Sequence, residues 1–343
     1  MKKMLAILFA MVLALGMLTG CGGGSTTSSE PADNEATTAA AVEETTEAVA
    51  EEPVAAEEEP DTGDASKDDP LNQDNIGEKE ILVVSFGTSY NDNRVATIGA
   101  IEKDIAAAFP DWAVRRAFTA QIVIDHIKDR DGEEIDNVEQ ALARARDNGV
   151  KELVVAPTHL MNGNEYDELT ATLNKYNADF EKIAISKPLL TSDEDKKDVA
   201  EDLIEITKQY DDGQTAIVFM GHGTDHEANA VYPEMQDVIR ANGGDNYFVG
   251  VVHDGAKPDV DDVLAEVQKN DAYKKVVLRD MMVVAGDHAN NDMSDTEDPE
   301  SWYSKFTAAG YEVTTVLEGL GQVEDIREIY VDHVEDAIEE IGK

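Results

Sequence analysis

Cysteine occurs once in 343 residues, at position 21. A single thiol cannot close an internal disulfide, nor build a cysteine-rich zinc or iron–sulfur site. Basic residues are scarce as well: 28 Lys and Arg stand against 73 Asp and Glu, a formal net charge of −45. Nucleic acid is therefore excluded as a partner, because phosphate binding needs a basic stripe. Several catalytic signatures are also missing. There is no Gly-x-x-x-x-Gly-Lys-Ser/Thr phosphate loop, no Gly-x-Ser-x-Gly elbow and no His-Glu-x-x-His helix. Gly221-His222-Gly223 lacks the third glycine of a dinucleotide loop and has an imidazole in its middle.

What is present falls into three zones. Lys2 and Lys3 precede an almost wholly apolar run over 4–18, followed by Leu18-Thr19-Gly20-Cys21. This reads as a secretory signal, residues 1–21, ending in a lipobox that resembles those of bacterial lipoproteins. The run is about 15 residues, short of the roughly 20 a spanning helix needs. Cys21 is then the lipidation site. The expected location is exported, lipid-anchored to the outer face of the cytoplasmic membrane or in the periplasm. Residues 22–78 hold 17 acidic side chains, one basic (Lys67) and no Phe, Tyr or Trp. Such a segment cannot bury enough apolar surface to offset its ordering entropy, so it reads as a disordered acidic tether.

From residue 79 the pattern is α/β. Strands are predicted over 81–86, 114–118, 153–156, 183–185, 216–220, 247–252, 276–278 with 281–284 close behind, and 313–316. Helices are predicted over 93–108, 138–148, 165–176, 228–241, 259–269, 300–309 and 323–341. Alternation of this kind implies parallel sheets covered on both faces. Two internal matches suggest duplication: Val83-Val84-Ser85-Phe86-Gly87-Thr88 with 218–224, and Val154-Val155-Ala156-Pro157-Thr158-His159 with 283–288. The expected organisation is an N-terminal domain over 79–212 and a C-terminal one over 213–343, both Rossmann-like. Ligands of such sheets bind beyond the carboxyl ends of the strands.

Seven histidines occur, and five of them, His159, His222, His226, His253 and His288, follow strands. His126 and His333 fall on predicted helices and read as surface or packing residues. Imidazoles and carboxylates without a thiolate suit a borderline divalent ion such as cobalt, nickel, iron or zinc.

Five segments occur in order: Ser85-Phe86-Gly87-Thr88-Ser89, Arg116-Ala117-Phe118-Thr119, 157–166 from Pro157-Thr158-His159 to Asn164-Glu165-Tyr166, Met220-Gly221-His222-Gly223-Thr224, and 284–293 containing Gly286-Asp287-His288. Together they resemble the anaerobic-type (class II) sirohydrochlorin cobaltochelatase family, from about residue 80 to 340. The resemblance implies a chelatase-like fold, two Rossmann-like domains with parallel sheets facing a central cleft, the last helix packing back on the first domain. It implies a lyase that inserts Co²⁺, as substrate and bound ion, into sirohydrochlorin without a nucleotide cofactor, on the anaerobic cobalamin route. It places metal ligands at His159, His222 and Glu102, with His159 and Glu102 also catalytic. Some members carry an acid immediately before Pro-Leu-Leu, where this chain has Lys187.

A free-base tetrapyrrole loses two pyrrole N–H protons as the ion enters, and a neutral imidazole can hold a metal or accept a proton. Sirohydrochlorin also bears eight carboxylates, which an acidic domain must meet with local donors. Arg115, Arg116 and the amides after Gly87 and Gly223 are candidates. The expected substrate-binding set is Ser85, Thr88, Arg116, Gly223, His226 and His288, with Asp287 orienting a ring nitrogen. Beyond the tetrapyrrole, the metal and the membrane, the sequence admits a transporter or a second copy of the chain as partner. Export leaves two alternatives to a chelatase open: a lipid-anchored metal, haem or corrinoid binding protein feeding a transporter, and a relic fold used as an interaction module.

Overall fold

Eight apolar, β-branched runs form strands in the computed structural model, which describes residues 62–343. Four of them, β1 (Lys79–Ser85), β2 (Ala113–Phe118), β3 (Glu152–Pro157) and β4 (Lys182–Ile185), build a parallel sheet of order β2-β1-β3-β4. The other four, β5 (Thr215–Gly221), β6 (Tyr247–Val251), β7 (Lys275–Asp280) and β8 (Glu312–Val316), repeat it as β6-β5-β7-β8. The central strands β1 and β5 are buried almost end to end, as strands with helices on both faces must be.

Among the described residues ten α-helices fill the connections. In the first half they are α1 (Asn91–Ala96), α2 (Ile98–Ala108), α3 (Gln121–Asp131), α4 (Val138–Asp147), α5 (Asn164–Tyr176) and α6 (Asp193–Thr207). The second half has α7 (Val231–Ala241), α8 (Val260–Val267), α9 (Trp302–Ala308) and α10 (Glu324–Gly342). Reciprocal caps start three of them: Asn137 with Gln140, Ser192 with Asp195, and Asp259 with Asp262.

The described residues, 62–343, form one compact unit. A single apolar cluster runs from Ile81, Val83 and Val154 of the first sheet through Leu203 to Ile217, Phe219 and Val249 of the second. Helix α10 closes it over the first sheet with Ile326, Tyr330, Val334 and Ala337 on one stripe. Each large side chain buried this way contributes about 1.5–3 kcal/mol. The same helix is fixed by polar contacts: Tyr330 Oη donates to the Thr158 carbonyl at 2.9 Å, and Arg327 pairs with Asp104 of α2 at 2.5 Å.

The structure corrects several sequence readings. The signal 1–21, Cys21 and the tether up to residue 61 lie outside the described residues. Residues 62–78, predicted as disordered tether, are instead laid along the domain. The Leu71 carbonyl accepts from the Arg116 amide at 3.1 Å, Gln73 Nε2 donates to the Val114 carbonyl at 3.1 Å, and Ile76 packs against the core. This strap covers the edge strand β2, whose Val114–Phe118 stretch is buried although it ends the sheet. The predicted helix 93–108 breaks at Thr97, whose hydroxyl donates to the Asn93 carbonyl at 2.6 Å. The predicted strand 281–284 is a loop, because the Met282 and Val283 carbonyls bond the amides of Leu320 and Gly321 instead of a strand.

The first internal match survives in three dimensions. Gly87 after β1 and Gly223 after β5 both adopt left-handed backbone, φ +103° and +82°. A Cβ there would meet Phe118 at 2.6 Å and Val251 at 2.7 Å. The second match does not. Ile81 pairs Val154 and Ile217 pairs Val277, so the counterpart of His159 is Met282 and not His288.

Asp202 on α6 has its carboxyl pushed up to about 6 by burial and by Asp325, Asp198, Glu201 and Glu328. An acid raised in the fold destabilises it as pH climbs from the unfolded value, near 4, to about 6. Asp202→Asn is therefore expected to raise stability above pH 6 by about 1 kcal/mol after solvent screening, or about 2 °C in Tm. The gain should vanish below pH 4; thermal melts at pH 4 and pH 7.5 check it.

Candidate active site

The loops after β3, β5, β6 and β7 carry the imidazoles. His159 follows β3 by two residues, and its backbone is pinned on both sides. Its carbonyl accepts from the Leu189 amide at 3.0 Å, and the preceding Thr158 amide donates to the Val84 carbonyl at 2.9 Å. Both ring nitrogens of His159 are shielded from solvent and have no hydrogen-bond partner. Burial lowers its pKa to about 4, against the opposing charge of Glu165, so the ring is neutral at physiological pH. An unpartnered buried imidazole costs the fold about 1–3 kcal/mol, a penalty that a bound group would relieve.

His222 follows β5 and is exposed. Its Nδ1 lies 2.7 Å from the Gly223 carbonyl, which can only accept, so Nδ1 carries the proton and Nε2 keeps its lone pair. The ring stands edge-on to His288 at 4.8 Å and tilted against His253 at 5.7 Å, between centroids. Partial desolvation of the ring on its protein side, then the neighbouring His288 and His253, hold its pKa below the ordinary value, while the Gly223 hydrogen bond and Glu165 oppose this. His288 differs: Asp292 Oδ2 accepts from its Nδ1 at 2.7 Å and raises its pKa.

Glu165 links the two halves electrostatically. It sits in the first turn of α5, exposed, on the wall of a groove of about 240 Å³ shared with Phe118, Thr119 and Asn137. Its carboxylate acts on His159 from the first sheet and on His222 and Tyr232 from the second. Among the described residues no three His, Cys, Asp or Glu side chains are already gathered as a metal cage.

Most of the other residues expected at the site serve the scaffold. Glu102 is buried on α2, and both its oxygens accept from Arg116 at 2.7 Å, so neither Glu102 nor Arg116 is open to an ion or a substrate carboxylate. Arg115 is likewise buried against Glu80 at 2.7 Å. Ser85 is buried and accepts from the Thr158 hydroxyl at 2.8 Å. Thr88 is buried, its hydroxyl accepting from the Tyr90 amide. The Gly223 amide is not free, since it donates to Tyr232 Oη at 3.1 Å. His226 caps a short 3-10 turn, Nδ1 accepting from the Ala228 amide, which turns Nε2 toward Asp167 at 3.7 Å. Asp287 accepts from Asn291 and leaves the orienting of His288 to Asp292. Lys187 reaches Asp336 of α10 at 3.0 Å. His126 is exposed on α3, and His333 is buried on the inner face of α10 against the Lys187 carbonyl and Asp195.

Sequence reasoning passed over Glu165 and Asp292, and gave His253 a place after a strand but no role. Glu165 was already inside the segment 157–166. Its signal was the helix start itself, an acid placed one turn beyond the His159 loop.

Comparison with known proteins places this geometry. A family model described as cobalt chelatase (CbiK) matches residues 79–339. The sirohydrochlorin cobaltochelatase of Salmonella typhimurium is 35% identical over 261 residues, covering 76% of this chain and 97% of that one. The sirohydrochlorin cobaltochelatase CbiKC of Nitratidesulfovibrio vulgaris is 30% identical over 263 residues, 76% of this chain and 91% of that one. Among solved structures, SirB from Bacillus subtilis with Fe³⁺ is similar in fold, with TM-score 0.56 at 13% identity over 78% of this chain and 98% of that one. The matched stretch spans both parallel sheets: the chain is a member of the CbiK cobalt chelatase family.

Proposed function

We propose that this chain inserts Co²⁺ into a sirohydrochlorin-like tetrapyrrole without a nucleotide, as an exported protein anchored to the membrane through lipid on Cys21. The observation that carries the chemistry is the state of His159: neutral, unpartnered at both nitrogens, and within the field of an acid that also acts on His222. His159 and His222 hold the incoming ion from the two sheets. Glu165 offsets part of its charge. Glu102, locked in its ion pair, takes no part.

The reaction exchanges one divalent ion for two pyrrole protons, so charge is conserved and no group transfer from a nucleotide is needed. His288 is half-exposed and its pKa is raised by the Asp292 carboxylate, so in its protonated form it offers a donor for a substrate carboxylate at the rim. Phe86, the half-exposed residue after β1, offers an apolar surface for the macrocycle face. Export favours a tetrapyrrole or metal met outside the cytoplasm. A carrier that only binds would share the ligands but show no turnover.

Wild-type protein is expected to insert Co²⁺ into sirohydrochlorin well above the spontaneous rate, followed by the absorbance change of the macrocycle. His159→Ala should cost about 100-fold or more in kcat. Glu102→Gln should instead lower stability by about 3 kcal/mol with Co²⁺ affinity unchanged. Tight binding of ion and macrocycle with no rate gain in wild type would show a carrier.

Anchoring has its own check. In detergent partition, the full chain should enter the detergent phase and Cys21→Ala the aqueous phase. A mutant that stays with detergent would refute the lipid anchor.

A further inference from the structure

The segment 62–78 lies upstream of the residues that match the family, 79–339, yet it completes a deeply buried charge network. Arg94 of α1 and Arg116 of β2 are both fully buried. Glu102 supplies one counter-charge to Arg116. The other comes from Asp68 in the strap, itself only 4% exposed: Oδ2 accepts from Arg94 Nε at 2.5 Å and Arg116 Nη1 at 2.6 Å, and Oδ1 from Arg116 Nη2 at 3.0 Å. The two buried guanidiniums thus face two buried carboxylates. Without Asp68 the matched domain would bury a positive charge opposed only by the more exposed Glu133, 3.3 Å from Arg94.

The network does not stop at the core. Arg94 Nη1 donates to the Thr88 carbonyl at 3.0 Å, fixing the loop after β1. Thr88 in turn lies against Gly286: a Cβ on that glycine would fall 3.1 Å from the Thr88 hydroxyl. One residue before Arg94, Asn93 Oδ1 accepts from the Ala285 amide at 2.9 Å. Gly286 and Ala285 belong to the second half and lead directly into His288. The strap also grips α1 at its start, where the Thr62 carbonyl accepts from the Asp92 amide at 2.9 Å and the Gly63 carbonyl from Asn91 Nδ2 at 3.3 Å.

We infer that the strap 62–78 is a positioning element of the active site, in which Asp68 locks α1 so that Arg94 and Asn93 hold the 86–90 and 283–288 loops in register across the two halves. The inference builds on the proposed metal insertion for its kinetic consequence alone; the structural link stands apart from it. Asp68 is a positioning residue and touches neither ion nor macrocycle.

The test uses the full chain and two variants, Asp68→Asn, which keeps size and loses charge, and Asn93→Ala, which removes only the Ala285 contact. Hydrogen exchange of peptides covering 86–90 and 283–288 is expected to speed up by about tenfold in Asp68→Asn, while α8 and β8 keep wild-type protection. In Asn93→Ala only 283–288 should loosen. In both variants kcat should fall by about tenfold with KM within threefold, since small misplacement of reacting groups is costly. Unchanged exchange in both loops, or loosening spread evenly over the unit, would overturn the inference. If Asp68→Asn fails to fold, Asn93→Ala decides alone. If wild type inserts no metal, the proposed function fails while the exchange data still judge the strap.

Discussion

A site drawn from two sheets keeps its geometry only when the sheets cannot drift apart. Here one apolar core, from Ile81 and Val154 to Ile217 and Phe219, makes them a single body, and α10 seals it over the first sheet. Every functional distance in the molecule inherits that constraint. Across this body, Glu165 lies close enough to both sheets for its charge to act on His159 and His222. Polar ties then refine what the core fixes coarsely: Tyr330 on the Thr158 carbonyl, Asn93 on the Ala285 amide, Arg94 on the Thr88 carbonyl.

The two candidate ligands are prepared in different ways. His222 is solvent-facing, with its tautomer set by a carbonyl, so that Nε2 is available to an arriving ion. His159 is neutral, with both ring nitrogens shielded and unsatisfied, so it gains most when an ion is present. An exposed entry ligand and a shielded receiving ligand suit a protein whose metal is cargo in transit. The paired charges Glu102–Arg116 and Glu80–Arg115 are framework, and their burial explains how so acidic a chain can hold arginines that no substrate meets.

Much of this was legible in the sequence, for physical reasons that differ by element. Strands buried on both faces must be apolar throughout, so β1 and β5 announced themselves. Gly87 and Gly223 marked loops because only glycine sits easily in left-handed backbone there. The histidines stood out through their place after strands. The remainder depended on partners far apart in the chain. An arginine at a strand end looks the same whether it faces substrate or, like Arg116, two acids 14 and 48 positions away. The apolar run 281–284 read as a strand, yet its carbonyls go to the 319–321 loop. The strap was hidden by its composition: its acids suggested disorder, while Asp68 in fact finds two buried guanidiniums.

Convergence of two imidazoles on one ion is the central claim, and X-ray absorption at the cobalt edge tests it without requiring turnover. The Co²⁺-loaded chain should show two imidazole ligands, and His159→Ala and His222→Ala should each show one. Identical spectra for wild type and His159→Ala would contradict the account.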